Sequence, residues 1–147
     1  MASILFDLDG TLAEYRHGVI GIGNPIPKML QLVKNLIAAD KDVWIFTARV
    51  ADDKDGSQRA DIDTWCEKYF GQKLPVTCEK NYSAGDIYDD HAVQVISNTG
   101  ITVVELAKAY SEVLEQVVNM PSSIIRPEFE AIQKSAREVL SIYTGRL

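Results

Sequence analysis

Cysteine is scarce in this chain: Cys66 and Cys78 stand alone in 147 residues. Two isolated thiols make neither a disulfide framework nor the paired spacing of a zinc site. They read as free thiols of a reducing compartment, and the expected location is cytoplasmic. Positive charge is also short, because 15 Lys and Arg against 21 Asp and Glu leave a formal net charge of -6. Affinity for a phosphate backbone or an anionic membrane comes from basic side chains, so general nucleic-acid binding and membrane binding are not expected. A small phosphorylated substrate is still admitted, since a local patch or a bound cation can supply the charge. No apolar run is long enough to span a bilayer. The first one, Ile4-Leu5-Phe6, is stopped by Asp7 and is too short for a secretory signal. Internal repeats and low-complexity segments are absent as well. What is present, 46% hydrophobic and 24% charged residues, is the balance of an ordinary globular domain that buries a core without staples.

Short apolar runs alternate with helical patterns over the first two thirds. Ile4-Leu5-Phe6 reads as a buried strand, and a glycine-rich loop from Gly18 to Gly23 follows. Asn24-Pro25 has the form of a helix N-cap with proline at the first helical position. Ile26, Met29, Leu30, Val33 and Ile37 then recur at helix spacing. Val43 to Phe46 reads as the second strand, Ala51 to Ser57 as polar loop, and Ile62, Trp65, Cys66, Tyr69 and Phe70 as a second helix. Pro75 to Cys78, Ile87-Tyr88 and Val93 to Ile96 read as three further strands. The expected fold class is therefore α/β, a Rossmann-like parallel sheet of about five strands with flanking helices. Residues 1–101 are expected to form this core without a cap domain. Residues 102–147 are expected to form a C-terminal helical hairpin. A stripe from Val103 to Val118 makes its first arm, Pro121-Ser122-Ser123 the break, and Phe129, Ile132, Val139 and Leu140 its second arm. The stripe either covers the core or joins two copies of the chain as a homo-oligomer.

Polar residues with chemical potential sit just after the strands, where open α/β sheets bind ligands. Asp7-Leu8-Asp9-Gly10-Thr11 follows the first strand. Two carboxylates one residue apart can divide labour between nucleophile and proton carrier, and Gly10 permits a tight turn. A plain Asp-Gly turn is the ordinary alternative. A calcium loop fails, because Leu5 and Arg16 would fall at the first and twelfth ligand positions. Thr47, Ala48 and Arg49 follow the second strand with a hydroxyl and backbone N–H groups suited to phosphoryl oxygens. Lys80 follows the third strand and offers a fixed ammonium. Asp89-Asp90 follows the fourth; adjacent carboxylates repel unless a cation binds, and hard oxygen ligands suit magnesium. Asp86, after Gly85, is the other candidate for the second carboxylate. Arg16, His17 and Arg49 fall near the expected mouth.

Taken together, the order of carboxylates, threonine, lysine and carboxylates resembles the haloacid dehalogenase superfamily of phosphohydrolases. Phe6 to Leu12 is similar to its first motif, Thr47 to its second, Lys80 to its third and Asp89-Asp90 to its fourth. The likeness covers about Ser3 to Ile96, and the runs Ile45 to Arg49 and Tyr88 to Gly100 also resemble small, capless, prophage-type members. The resemblance implies that Asp7 attacks phosphorus, that Asp9 acts as acid and then base, and that Thr47 and Lys80 grip the phosphoryl group. It also implies magnesium held by Asp7, the backbone of Asp9, and Asp89, with Asp90 in support. Thr11, Ala48, Arg49 and Arg16 are expected to contact a small phosphomonoester, such as a nucleotide. A phosphotransferase using the same intermediate and a non-catalytic binding or assembly protein are the alternatives.

Overall fold

The computed structural model describes residues 2–119 together with Ile132, Lys134, Ser135 and Arg137. The chain divides into two compact units, Met1–His91 and Ala92–Leu147.

In the first unit, β1 (Ser3–Asp7), β2 (Val43–Phe46), β3 (Val76–Thr77) and β4 (Ala84–Tyr88) form one sheet in the order β3-β2-β1-β4. Every pairing is parallel, with Phe6 beside Ile45 on one side and Tyr88 on the other. Parallel neighbours need crossover connections. Helix α1 (Pro27–Ala38) joins β1 to β2, while a single 3-10 turn (Ala48–Val50) and helix α2 (Ser57–Phe70) lie between β2 and β3. The chain thus works outward from β1 to β3, then returns to place β4 on the far side of β1. The strand order reverses between β1 and β4, and ligands bind at the carboxyl ends of strands flanking such a reversal. Asp7 ends β1, and Asp89 is the first residue after β4.

The core explains the two helices. Phe6, Leu8, Leu12, Val33, Ile45, Ile62 and Cys66 are fully buried. Val33 enters from α1, and Ile62 and Cys66 from α2. Phe6 stacks on Tyr88 with ring centroids 4.5 Å apart and planes 3° from parallel. Burial on both faces of β1 suits its unbroken apolar run. Helix α2 stops at Gly71, whose φ of 77° closes the last turn with an N–H bond to the Glu67 carbonyl.

Three expectations need correction. The sheet has four strands among the described residues, not five. Val93 to Ile96 does not join it: Val95 forms an isolated antiparallel bridge to Thr102, and Ile96 N–H bonds the Ile101 carbonyl. The turn between them, with Asn98 at φ 63° and Gly100 at φ 74°, folds the run back on its own continuation. The start of α1 lies two residues later than Asn24-Pro25 suggests, with Ile26 as N-cap and Pro27 in the first turn. Pro25 instead bridges Ala13. Finally, the strand expected at Ile87-Tyr88 begins earlier: β4 starts at Ala84 and runs through Gly85 and Asp86, so Asp86 is an exposed strand residue.

The second unit contains α3 (Val103–Val118), opened by a reciprocal capping box between Thr102 and Glu105. Val103, Val104, Leu106, Tyr110 and Val113 on this helix are exposed. Ile132, Lys134, Ser135 and Arg137 have helical backbone. Pro121-Ser122-Ser123, Phe129, Val139 and Leu140 lie outside the described residues. No described helix is long and apolar enough to cross a membrane.

Candidate active site

A cavity of about 390 Å³ opens at the carboxyl end of the sheet, lined by Asp7, Asp9, Thr47, Arg49, Asp89 and His91 together with Tyr15 and Ala48. Six of the sequence-derived candidates, Asp7, Asp9, Thr47, Ala48, Arg49 and Asp89, line this wall and come from three separate strand ends. Asp7, Asp9 and Asp89 bring acid from either side of the reversal, and Thr47 and Arg49 come from the end of β2.

Burial is the main cause of an unusual Asp7. It pushes the Asp7 carboxyl up to about 6, and the charges of Asp89, Asp90 and Asp9 add to the effect, against a lowering hydrogen bond from the Leu8 backbone. Thr47 is buried, and its hydroxyl oxygen accepts the Arg49 backbone N–H at 3.3 Å, capping the 3-10 turn. Asp89 Oδ1 accepts the His91 backbone N–H at 2.7 Å.

Gly10 and Asp90 fit each other closely. Gly10 has a φ of 92°, and a Cβ added there would stand 2.8 Å from Asp90 Cγ and closer still to Oδ2. Only glycine meets both demands, the left-handed backbone and the bare space. Thr11 completes the clasp: its hydroxyl donates to Asp90 Oδ1 at 3.4 Å and accepts the Asp90 backbone N–H at 3.0 Å. Loop residues after β1 and after β4 are thereby joined side chain to backbone.

Arg49 forms the strongest polar contact in the site. Its Nε and Nη2 donate to the two oxygens of Asp9 at 2.5 and 2.7 Å, a two-pronged ion pair. Nη2 also donates to the Gly21 carbonyl at 2.9 Å, and Nη1 reaches Gln58 at 3.4 Å. The hydrogen bond that Arg49 donates to Asp9 is the main reason the guanidinium pKa is raised above its ordinary value.

The remaining candidates lie elsewhere. Arg16 lines a separate cavity of about 250 Å³ in the loop after β1. Lys80 is exposed in the segment after β3 and is not part of the wall. Asp90 and Thr11 stand behind Gly10 rather than in the wall. Sequence reasoning did not find Tyr15 or His91, although an aromatic in a loop directly after the first motif was the available signal for Tyr15.

The donors fit a hydrated magnesium ion better than a closed cage. Among the described residues no group of three or more Asp, Glu, His or Cys side chains is arranged to hold a metal. Magnesium needs only one or two carboxylates and keeps several waters. Asp7 and Asp89 share the cavity wall, and the repulsion acting on Asp7 is of the kind a cation relieves.

No protein-family model matches this chain, and no curated protein matches it. A solved structure, that of a conserved protein coded by a locus from Bacteroides thetaiotaomicron, is similar at 22% identity. The match covers 74% of this chain and 91% of that one, with a TM-score of 0.49.

Proposed function

We propose that this chain is a magnesium-dependent phosphohydrolase of the haloacid dehalogenase type, acting on a small phosphomonoester through an aspartyl-phosphate. The observation that carries the reading is the position of Asp7. It ends the strand beside the reversal point, lines a cavity with Asp9, Thr47 and Asp89, and is pushed up to about 6 by burial, with neighbouring carboxylates adding to the effect. A carboxyl perturbed by burial and by specific charged neighbours in a cleft is a functional-site candidate.

In the first step an Asp7 carboxylate oxygen forms a bond to phosphorus, and the bond from phosphorus to the ester oxygen breaks. Asp9 gives its proton to the departing oxygen. In the second step Asp9 takes a proton from water, the water oxygen bonds to phosphorus, and the bond between Asp7 and phosphorus breaks to release phosphate. Phosphoryl transfer depends on positioning and charge stabilisation more than on covalent help. The Thr47 hydroxyl and the Arg49 guanidinium stand at the wall to meet phosphoryl oxygens. Magnesium, held by Asp7 and Asp89, would offset the charge between an anionic nucleophile and an anionic substrate.

Asp9 cannot donate a proton while Arg49 grips both its oxygens as an anion. The productive state therefore requires Arg49 to leave Asp9, and an entering phosphoryl dianion is a stronger attractor for it.

The deciding experiment compares wild type and Asp7→Asn in a phosphatase assay with magnesium over a panel of phosphomonoesters, with circular dichroism as the control for folding. Turnover is expected in wild type, with a loss of at least about 10³-fold in the variant, because the attacking anion is gone. An Asp7→Asn protein that turns over at the wild-type rate would sink the covalent mechanism.

A further inference from the structure

The loop from Glu14 to Asn24 is built as a closed unit rather than a slack connection. Glu14 N–H bonds the Asn24 carbonyl at 2.7 Å, which pins its two ends together. Gly23 lies so close to the Glu14 backbone that a Cβ there would strike the Glu14 carbonyl oxygen. From α2, Trp65 Nε1 donates to the Gly23 carbonyl at 3.0 Å. From the end of β2, Arg49 holds the Gly21 carbonyl at 2.9 Å. Compact surface loops with tethered ends often carry function.

This loop encloses the 250 Å³ cavity described above, and it abuts the site. Tyr15 lines both cavities, and Gly21 on one wall touches Arg49 on the other. Tyr15 is thus common to the two spaces, and the guanidinium that grips Asp9 is hydrogen-bonded to a residue lining the loop's cavity. The loop also carries apolar side chains in the open: Tyr15, Val19 and Ile20 are 56%, 65% and 101% exposed. Glu14, Arg16 and Asn24 line the same cavity and bring an acceptor, a donor fork and an amide.

We propose that the loop from Glu14 to Asn24 is the leaving-group subsite of the active site, shaped for the flat, hydrogen-bonding ring of a nucleoside monophosphate. The proposal rests on the phosphohydrolase reading above and names the substrate class for it. A polyol would offer neither a π-face to Tyr15 nor apolar area to Val19 and Ile20, whereas a nucleobase offers both and has polar edges for Glu14, Arg16 and Asn24. The cavity's size suits one ring system, and the chain's net charge of -6 works against a polymer of nucleotides.

The test is calorimetric binding to the full wild-type chain with magnesium. The probes are the non-hydrolysable phosphonate isosteres of AMP, phenyl phosphate and methyl phosphate. The AMP isostere is expected to bind about tenfold or more tightly than the methyl isostere, the size of one base–aromatic stack. The phenyl isostere should fall between them. Tyr15→Ala should bring the ratio of AMP to methyl affinity toward one, and Tyr15→Phe should retain it. Equal affinity for all three isosteres, or an unchanged ratio in Tyr15→Ala, overturns the subsite. Equal binding of the phenyl and AMP isosteres overturns the choice of a nucleobase. Hydrolysis of the corresponding phosphate esters is followed separately. A ring preference without any hydrolysis leaves the subsite standing and removes the phosphatase reading; hydrolysis indifferent to the leaving group does the reverse.

Discussion

At the scale of single residues, two close fits around the first-motif loop hold the site together. Gly10 is one. Alanine there would have to hold a φ of 92° and displace the Asp90 carboxylate, which in turn is clasped by Thr11. Gly10→Ala is expected to lower stability by about 1–3 kcal/mol, the combined cost of left-handed strain and a forced shift. It should lower kcat/KM by more than that change in stability accounts for, because the turn that carries Asp7 and Asp9 moves with it. Urea unfolding and kinetics on one protein preparation check both. Arg49 is the other. With side chains only 19% and 21% exposed, the Arg49–Asp9 pair is shielded enough to couple measurably. A double-mutant cycle with Arg49→Ala and Asp9→Asn is expected to give a coupling energy of about 1–2 kcal/mol. A value near zero would mean the pair is a surface contact of no weight. Lysine should not substitute, since a point charge cannot hold both Asp9 oxygens and the Gly21 carbonyl at once.

At the scale of elements, the fold was legible where local pattern and tertiary demand agree. Val43 to Phe46 is a strand with the boundaries its apolar run suggests, and the spacing of Ile62, Trp65 and Cys66 marks the buried face of α2. Legibility failed where a short apolar run has two partners to choose from. Val93 to Ile96 has the composition of a strand, yet the turn at Asn98 and Gly100 lets it satisfy its backbone locally, and periodicity carries no information about which partner wins. The candidate site divides in the same way. Asp7, Asp9, Thr47 and Asp89 could be placed because each follows a strand end, which fixes the edge of the sheet on which it falls. The grip of Arg49 on Asp9, and the role of the loop as a walled cavity, depend on side-chain reach across 40 positions of sequence. No spacing rule encodes such a contact. Helix α3 permits a direct test of local encoding. Thr102 accepts the Glu105 N–H at 3.1 Å while Glu105 accepts the Thr102 N–H at 2.8 Å. Thr102→Ala should cost about 1 kcal/mol in the stability of that helix. The loss should appear as faster amide exchange in the first turn of α3.

For the whole molecule, the crowding at Asp7 links stability to pH and to cations. An unfolded aspartate titrates near 3.8, and Asp7 in the folded chain near 6. Between those values the folded protein binds more protons than the unfolded chain, so stability falls as pH rises through this window. Other perturbed groups act at its acid end or outside it. Asp55 and Glu105 are held below their ordinary values of 3.8 and 4.5 by local hydrogen bonds, so their contributions are present above those values and are lost as pH falls below them; for Glu105 that loss begins inside the acid end of the window. Burial pushes the Cys66 thiol up to about 11, which matters only in alkali. The Asp7 effect would reach about 3 kcal/mol in a dry site, but Asp7 is only partly buried, and solvent screening reduces it to about 1 kcal/mol. In the presence of a chelator, wild type is expected to lose about half of that between pH 5 and pH 7, the upper part of the window, and Asp7→Asn should not. Magnesium competes with the proton for the same carboxylate and binds the folded chain alone, so it adds stability in proportion to the logarithm of its saturation. Its stabilising shift in melting temperature should be larger at about pH 7.5 than at about pH 5. An equal shift at both values, or an undiminished one in Asp7→Asn, would place the cation somewhere other than the Asp7–Asp89 wall. The same titrations with Asp89→Asn separate the two carboxylates, because Asp89 raises Asp7 through charge alone. Its removal should flatten the pH dependence only in part, while weakening the response to magnesium.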